Sequence, residues 1–222
     1  MHGAVVMTWR IAAYLRCAAI LFTVDPAAAQ TRLEQSVLTE LNRVRADPAA
    51  YATALRDYRR FYNGKIFAAP GARVQYVTEE GVAPLDEAVA YLERQARRQQ
   101  LQPAPLLRDA ASDHCREQAV DGTVGHDGAG GSDPGVRATR RGGGRFVGEV
   151  ITYGSDTAVD VVRQLVVDDG VADRGHRTLI FAGDLSFAGV SCGPHPIYGT
   201  MCVVDLARTI DGRARAQFAS RD

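Results

Sequence analysis

The chain has 222 residues, of which 46% are hydrophobic and 23% charged, a length and composition typical of one globular domain with a well-filled core. Its 26 basic and 26 acidic side chains balance, so no global field draws it to nucleic acid, an anionic membrane or an acidic polymer. We therefore expect no nucleic-acid partner.

The N-terminal segment has the pattern of a secretory signal peptide. Basic residues precede an apolar run over residues 17–24, and the alanines at 27–29 are small residues of the kind that a signal peptidase reads. We expect cleavage after Ala29, so that residues 1–29 are removed. A membrane anchor needs about 20 apolar residues, and charged residues and a proline interrupt this run much earlier. The pattern predicts a secreted protein, periplasmic or extracellular, without stable membrane insertion after cleavage.

Helical periodicity dominates the first half of the mature chain. Helices are predicted over residues 33–44, 47–58, 84–96, 106–120 and 157–167. Asp47 and Pro48 supply an N-cap and a first-turn proline for the second helix. Asp156 is expected to cap the last helix, and the charged run over residues 93–98 is expected to form a solvated helix face.

Strand-like sequence is concentrated late in the chain. The runs GEVITYG, SFAGVSC and TMCVVDLA are rich in β-branched residues and predict short strands. Helices first and strands late indicate α+β layers. Residues 122–144 are so dense in glycine that a loop without regular elements is expected there, closely applied to another part of the fold. Residues 211–222 are interpreted as a polar C-terminal tail.

Three cysteines remain after removal of the signal peptide. Cys192 and Cys202 lie in two β-rich stretches that flank a turn rich in proline and glycine, and their even separation puts both side chains on one face of a hairpin. A disulfide between them would persist in an exported protein. Cys115 is interpreted as a small apolar helix residue rather than a reactive thiol, and its partner stays open.

One hydrolase motif is present but lies in the wrong context. Residues Gly189–Gly193 fit the G-x-S-x-G pattern of a nucleophile elbow, which needs a strand that turns into a helix. Two prolines follow at once, and no histidine occurs after Asp205 to complete a triad. We interpret the match as chance in a hairpin. His195 is placed at a loop tip, and His114 is interpreted as a structural helix residue.

A few polar residues stand out along the second half of the chain: His126, Glu149, Asp168, Asp169 and His176. The first opens the glycine-dense segment, the second begins a predicted strand, the two aspartates end a helix, and the last lies in a turn. Considered one at a time, each is typical of a surface residue with its hydrogen bonds made or of a helix cap.

The order of several short runs carries a resemblance. Within residues 33–207, five runs follow one another in this order: LTELNRVRADPAAYA, GHDGAGGSDPGVRATRRG, GEVITYG, QLVVDDGVADRGHRTLIF and AGVSCGPHPIYGTMCVVDLA. Together they resemble the bacterial branch of the CAP superfamily, which groups cysteine-rich secretory proteins, antigen 5 and pathogenesis-related proteins. The resemblance implies a single CAP domain over residues 30–210, built as a three-layer α-β-α sandwich with a large cleft.

The resemblance also implies a set of site residues. In the family, two histidines and two acidic residues line the cleft, and the matching positions here are His126, Glu149 and His176. The family's tryptophan, followed three positions later by glutamate, appears here as Leu165 followed by Asp168. Either Asp168 or Asp169 must therefore supply the fourth side chain, with a shorter reach.

Two imidazoles and two carboxylates facing one pocket could hold a divalent cation such as zinc through His126 and His176, or could hydrogen-bond one another. The shorter aspartate argues against a tight metal cage, so no cofactor is required. We expect an extracellular binding module for a lipid, peptide or protein ligand. A hydrolase with the histidines polarising water and Glu149 as general base is the alternative, and a purely structural polar cluster is a third. No catalytic residue is assigned.

Overall fold

The computed structural model describes residues 26–68 and 75–215. Its helices are α1 Pro26–Ala46, α2 Pro48–Tyr58, α3 Ala83–Arg94, α4 Pro105–Asp121, α5 Pro134–Arg140, α6 Ala158–Val167 and α7 Gly175–Ile180. Its strands are β1 Tyr62–Asn63, β2 Ile66–Phe67, β3 Tyr76–Val77, β4 Gln102–Pro103, β5 Val147–Tyr153, β6 Phe187–His195 and β7 Gly199–Ala207.

Strands β4 to β7 form the central sheet, in the order β4-β6-β7-β5. Strand β4 pairs with β6 in parallel, and the other two pairings are antiparallel. Strand β5 therefore forms one edge of the sheet. The short strands β1, β2 and β3 make a separate antiparallel sheet in the segment between α2 and α3.

Both faces of the central sheet are apolar, which requires a helical layer on each side. In β7, Cys202, Val204 and Leu206 belong to the larger core, which also takes in residues of α1, α2, α3 and α6. Met201 and Val203 alternate with them and pack on the other face against α4. The fold is thus α+β and forms a three-layer α-β-α sandwich, as the sequence and its resemblance predict.

The predicted helices are present, with two corrections at their ends. Helix α6 is capped by Thr157, whose hydroxyl accepts a hydrogen bond from Asp160 N at 3.2 Å, and not by Asp156. Helix α3 stops at Arg94, so residues 95–98 do not form a helix face. They run on extended toward β4, and Arg98 N donates to Arg45 O at 2.8 Å.

The prediction of a loop without regular elements over residues 122–144 is wrong in part, because α5 lies inside it. Asp133 caps this helix by accepting a hydrogen bond from Val136 N at 2.6 Å, and Pro134 occupies its first turn. An aspartate followed by proline is a helix start signal. Here this signal starts a helix in spite of the glycines on both sides of it.

The two ends of the chain extend beyond the described residues. Residues 1–25 of the predicted signal peptide and residues 216–222 of the predicted tail lie outside them. The predicted cleavage point after Ala29 falls in the first turn of α1 and stays a prediction. Among the helices of the described ranges, none is both long and apolar enough to span a bilayer.

A disulfide joins Cys192 of β6 to Cys202 of β7, with 4.1 Å between the two Cα atoms. The two residues are directly opposed in the antiparallel ladder. Ser186 N donates to Ala207 O, so the ladder bonds of β6 and β7 continue at the odd positions of β7. The cysteines therefore form a non-hydrogen-bonded pair, in which Cα atoms approach most closely.

Replacing both cysteines with alanine should lower the free energy of unfolding by about 2–3 kcal/mol, because the disulfide closes a short loop in the unfolded chain. The sequence separation of 10 residues sets this modest size. Urea unfolding of Cys192→Ala/Cys202→Ala beside the oxidised parent measures it. The reduced parent is the control and should unfold near the variant. An unchanged midpoint in the double variant would contradict the expectation.

Candidate functional site

The first part of the site is a pair formed by His126 and Glu149. Glu149 lies on β5, and its side chain is fully buried. Its Oε1 accepts a hydrogen bond from His126 Nδ1 at 2.9 Å, while its Oε2 accepts one from Arg137 Nη2 at 2.6 Å. Arg137, on α5, also donates to the backbone carbonyl of His126 at 3.0 Å. One buried guanidinium thus fixes both members of the pair.

The second part is a matching pair formed by His176 and Asp168. Asp168 Oδ1 accepts from His176 Nδ1 at 2.7 Å, and Oδ2 accepts from Arg177 N at 3.1 Å. His176 lies in the first turn of α7, rather than in the turn that the sequence indicates. Asp169 points elsewhere and accepts from the backbone N–H groups of Glu79 and Glu80. The geometry therefore puts Asp168, and not Asp169, beside the second histidine.

Asp168 reaches this position through an unusual backbone conformation. It is the C-cap of α6 and has a φ of 62°, in the left-handed region that glycine normally occupies at a helix end. The left-handed residue ends α6 and turns the chain back, and the side chain then meets α7 as its first turn begins. The backbone of Asp168 thus ends α6, and its side chain orients His176.

The two pairs come together at their imidazoles. The ring centroids of His126 and His176 are 6.2 Å apart. A carboxylate can only accept a hydrogen bond, so each Nδ1 carries the proton when the ring is neutral, and each Nε2 has a free lone pair. The side chain of His126 is 49% exposed and that of His176 is 22% exposed, so solvent reaches both rings.

The same bonds decide whether the residues fit the zinc ion that the resemblance suggests. Protein zinc sites use three or four protein ligands. Here both carboxylates hold imidazoles and other N–H donors, which leaves only the two Nε2 atoms as ligands. Within the described ranges, no group of three or more His, Cys, Asp or Glu side chains is arranged to hold a metal ion. The arrangement does not fit a resident metal.

Asp205 is a site residue that the sequence analysis missed. It lies on β7 directly opposite Glu149 and is completely buried. Neither of its carboxyl oxygens accepts a hydrogen bond from an N–H or O–H donor in the part of the chain that the structure describes, and its carboxyl group lies within hydrogen-bonding reach of that of Glu149. Burial, reinforced by the negative charge of Glu149, raises the pKa of Asp205 well above its usual range, and Arg137 opposes this only partly. One acid among the apolar residues of TMCVVDLA was the available signal.

Replacing Asp205 with asparagine should flatten the loss of stability with rising pH. The folded chain holds the proton of Asp205 more tightly than the unfolded chain, so ionisation opposes folding from about pH 4 upward, until the pH reaches the folded-state pKa. Asparagine is neutral at every pH. Urea unfolding between about pH 4 and pH 7 measures both slopes. Asp57→Asn, on the exposed face of α2, should keep the parent slope; parallel profiles for parent and Asp205→Asn would contradict this.

A further group of buried side chains holds the segment that carries His126. His114 and Gln118 of α4 both bond Gly125 O at 2.8 Å, and Tyr153 Oη accepts from Gly125 N at 2.9 Å. Gly125 precedes His126 directly, so both sides of its backbone are fixed. His114 is thus a structural residue of a helix, as predicted, and it holds the backbone that leads directly into His126.

The other chemical groups singled out in the sequence are structural. Ser191 is buried within β6, where no strand turns into a helix. Burial raises the pKa of the Cys115 thiol to about 12. His195 was expected at a loop tip, but it is buried at the end of β6 and bonds Thr123 O at 3.0 Å. Its neighbours Ile197 and Tyr198, and not His195, form the exposed turn.

No protein-family model matches this chain, and no curated protein matches it. Among solved structures it is similar to an extracellular protein containing an SCP domain from Bacillus anthracis strain Ames, with 18% identity and a TM-score of 0.42. That alignment covers 50% of this chain and 35% of the other, so this chain spans about a third of that protein. It is also similar to an outer surface protein from Borrelia burgdorferi, with 15% identity, a TM-score of 0.41 and coverage of 49% and 77%.

Proposed function

We propose that the protein is a secreted, CAP-like binding protein that holds its ligand in the cleft between His126 and His176. The signal-peptide pattern supports export, and the ordered motifs over residues 33–207 support the family. Binding is favoured over other roles by the hydrogen bonds that the two buried acids, Glu149 and Asp168, make within the protein.

One observation carries the proposal: both carboxylates are fully engaged in hydrogen bonds with groups of the protein itself. Each imidazole is held at Nδ1 by a buried acid, and each acid has its second oxygen bonded to an N–H donor of the chain. The pairs therefore present two fixed Nε2 acceptors to whatever enters the cleft. Such fixed acceptors lose little freedom on binding, which favours affinity.

The hydrolase alternative loses the base that it requires. Glu149 is fully buried and bonded to His126 and Arg137, so it cannot reach a water molecule in the cleft. A hydrolytic role would have to use His126 itself as the base, with Glu149 fixing its orientation. Turnover that depends on His126 would identify that case.

The test reads ligand binding at the two imidazoles. The secreted chain is prepared with ¹⁵N-labelled histidine, and the ring signals of His126 and His176 are followed during addition of a heptapeptide mixture or of phosphatidylcholine–phosphatidylglycerol vesicles. We expect a saturable shift of both rings with one of these probes, and no product. If neither probe moves either ring, the binding proposal is wrong.

Two single variants complete the test. His126→Ala and His176→Ala should each weaken the response of the remaining ring, whereas Arg140→Ala, exposed at the end of α5, should leave it unchanged. Peptide cleavage by the parent that disappears in His126→Ala would replace the binding role with the hydrolase.

A further inference from the structure

The outer side of β5 carries backbone groups without partners. Gly154 N donates to Thr200 O, so the even-numbered residues of β5 face β7. The N–H and C=O groups of the odd-numbered residues, among them Glu149 and Ile151, therefore point away from the sheet. Over the described ranges, hydrogen bonds reach this side at only one place, where Gln164 Nε2 donates to Tyr153 O at 3.3 Å.

Such an edge is a template for another strand. The side chain of Glu149 is completely buried while 7% of the residue as a whole is exposed, so the surface that solvent reaches at Glu149 is its backbone. Backbone groups on a largely buried strand edge have little contact with water, and a partner with alternating donors and acceptors at strand spacing would pair with them. An extended peptide has this pattern, and a lipid does not.

The imidazole pair lies beside the middle of this edge. His126 is bonded to the side chain of Glu149, and the ring of His176 is 6.2 Å from that of His126. A chain that pairs with the edge would therefore pass the two Nε2 acceptors of the proposed binding cleft.

The two ends of β5 open into different cavities. At Tyr153, a cavity of about 180 Å³ is lined by aromatic rings, including Tyr62, Phe67 and Tyr76. At Val147, a larger cavity of about 830 Å³ combines Phe146 and Leu179 with arginines. The arginines are Arg145, Arg208, Arg213 and Arg215, and Asp184 is the one acid in the lining of this cavity over the described residues.

We propose that the edge of β5 binds an extended peptide, which adds to the central sheet as a strand antiparallel to β5. An aromatic or large apolar residue near the peptide N-terminus enters the cavity at Tyr153, and an acidic residue near its C-terminus meets the arginines at Val147. Five residue steps from Gly148 to Tyr153 span about 17 Å, which fits a heptapeptide. The inference rests on the proposed binding function and names its ligand class.

The first test uses the peptide backbone. An acetylated and amidated heptapeptide, Phe-Thr-Val-Thr-Val-Thr-Glu, is compared with two forms in which the internal amides are N-methylated at either the even or the odd positions. Strand addition uses one set of amides, so one form should bind at least about tenfold more weakly and the other within about threefold of the parent peptide. Equal binding by the two methylated forms overturns strand addition.

The second test uses the charge at one end. Arg215→Gln should weaken binding of the parent peptide but should not change binding of a peptide whose glutamate is replaced by glutamine. A reversed sequence, Glu-Thr-Val-Thr-Val-Thr-Phe, should bind more weakly than the parent if the strand is antiparallel. Equal binding of both sequences contradicts the proposed direction.

The two proposals fail in different ways. If the heptapeptide shifts both imidazole signals but both methylated forms bind equally, the cleft binds a ligand and strand addition is wrong. If vesicles alone shift the signals, the binding function stands and the peptide inference is wrong. If neither probe shifts them, the binding function itself is wrong.

Discussion

Replacing Arg137 with methionine is expected to lower the free energy of unfolding by about 3–5 kcal/mol. The guanidinium is 1% exposed and is the cation bonded to Glu149, which lies opposite the buried Asp205. Methionine has a similar length but no charge, so Glu149 would be left buried without its ion-pair partner. The backbone carbonyl of His126 would lose its donor as well.

Urea unfolding at neutral pH measures the loss. Arg140→Met, three residues further along α5, is exposed and should change the free energy of unfolding by less than about 0.5 kcal/mol. Asp205→Asn in the Arg137→Met background should recover part of the loss, because it removes one of the two acids. A loss below about 1 kcal/mol in Arg137→Met would show that the guanidinium does not compensate the buried acids.

Replacing Gly189 with alanine is expected to destabilise the fold by about 3 kcal/mol, the upper end of the usual cost of overpacking. A Cβ atom on Gly189 would lie 2.0 Å from the backbone N of Arg108 and 2.2 Å from the backbone carbonyl carbon of Leu107. Both belong to α4, and helix backbone cannot move aside as a side chain can. The first turns of α4 would have to lift off β6, and the packing around Leu107 would open.

Gly193→Ala is the matched control for this change. It lies on the same strand, and its added Cβ would meet nothing nearer than Cys115 Cβ at 3.8 Å, an ordinary contact. Thermal unfolding of the two variants should therefore separate them clearly. Equal melting temperatures would mean that α4 does not press on Gly189 as closely as the structure shows. The result also gives the first glycine of the G-x-S-x-G match a packing role.

The layers of the fold could be predicted because their signals are local. Each long helix has an apolar face at helical spacing, and the late strands are rich in β-branched residues, so neither needs distant contacts to be recognised. The cap of α6 was missed because Asp156 and Thr157 are both good caps, and only the path of the chain chooses between them.

The site could be predicted only in outline. The resemblance indicates His126, Glu149 and His176, but the choice between Asp168 and Asp169 depends on a left-handed backbone that no local pattern reveals. Arg137 and Asp205 are further apart in sequence than any periodicity reaches. Both come to lie beside Glu149, because α5 packs beside β5 and because β5 and β7 pair in one register. Long-range pairing of charges is therefore the part that the sequence alone could not supply.

The left-handed conformation of Asp168 sets the stability of the backbone against the orientation of His176 at a single position. A non-glycine residue there costs on the order of 1 kcal/mol, so glycine would relax the backbone at the end of α6 while removing the acid that orients His176. Selection for thermal stability alone would favour glycine at this position. Persistence of aspartate among relatives of this chain would then indicate selection for the orientation of His176.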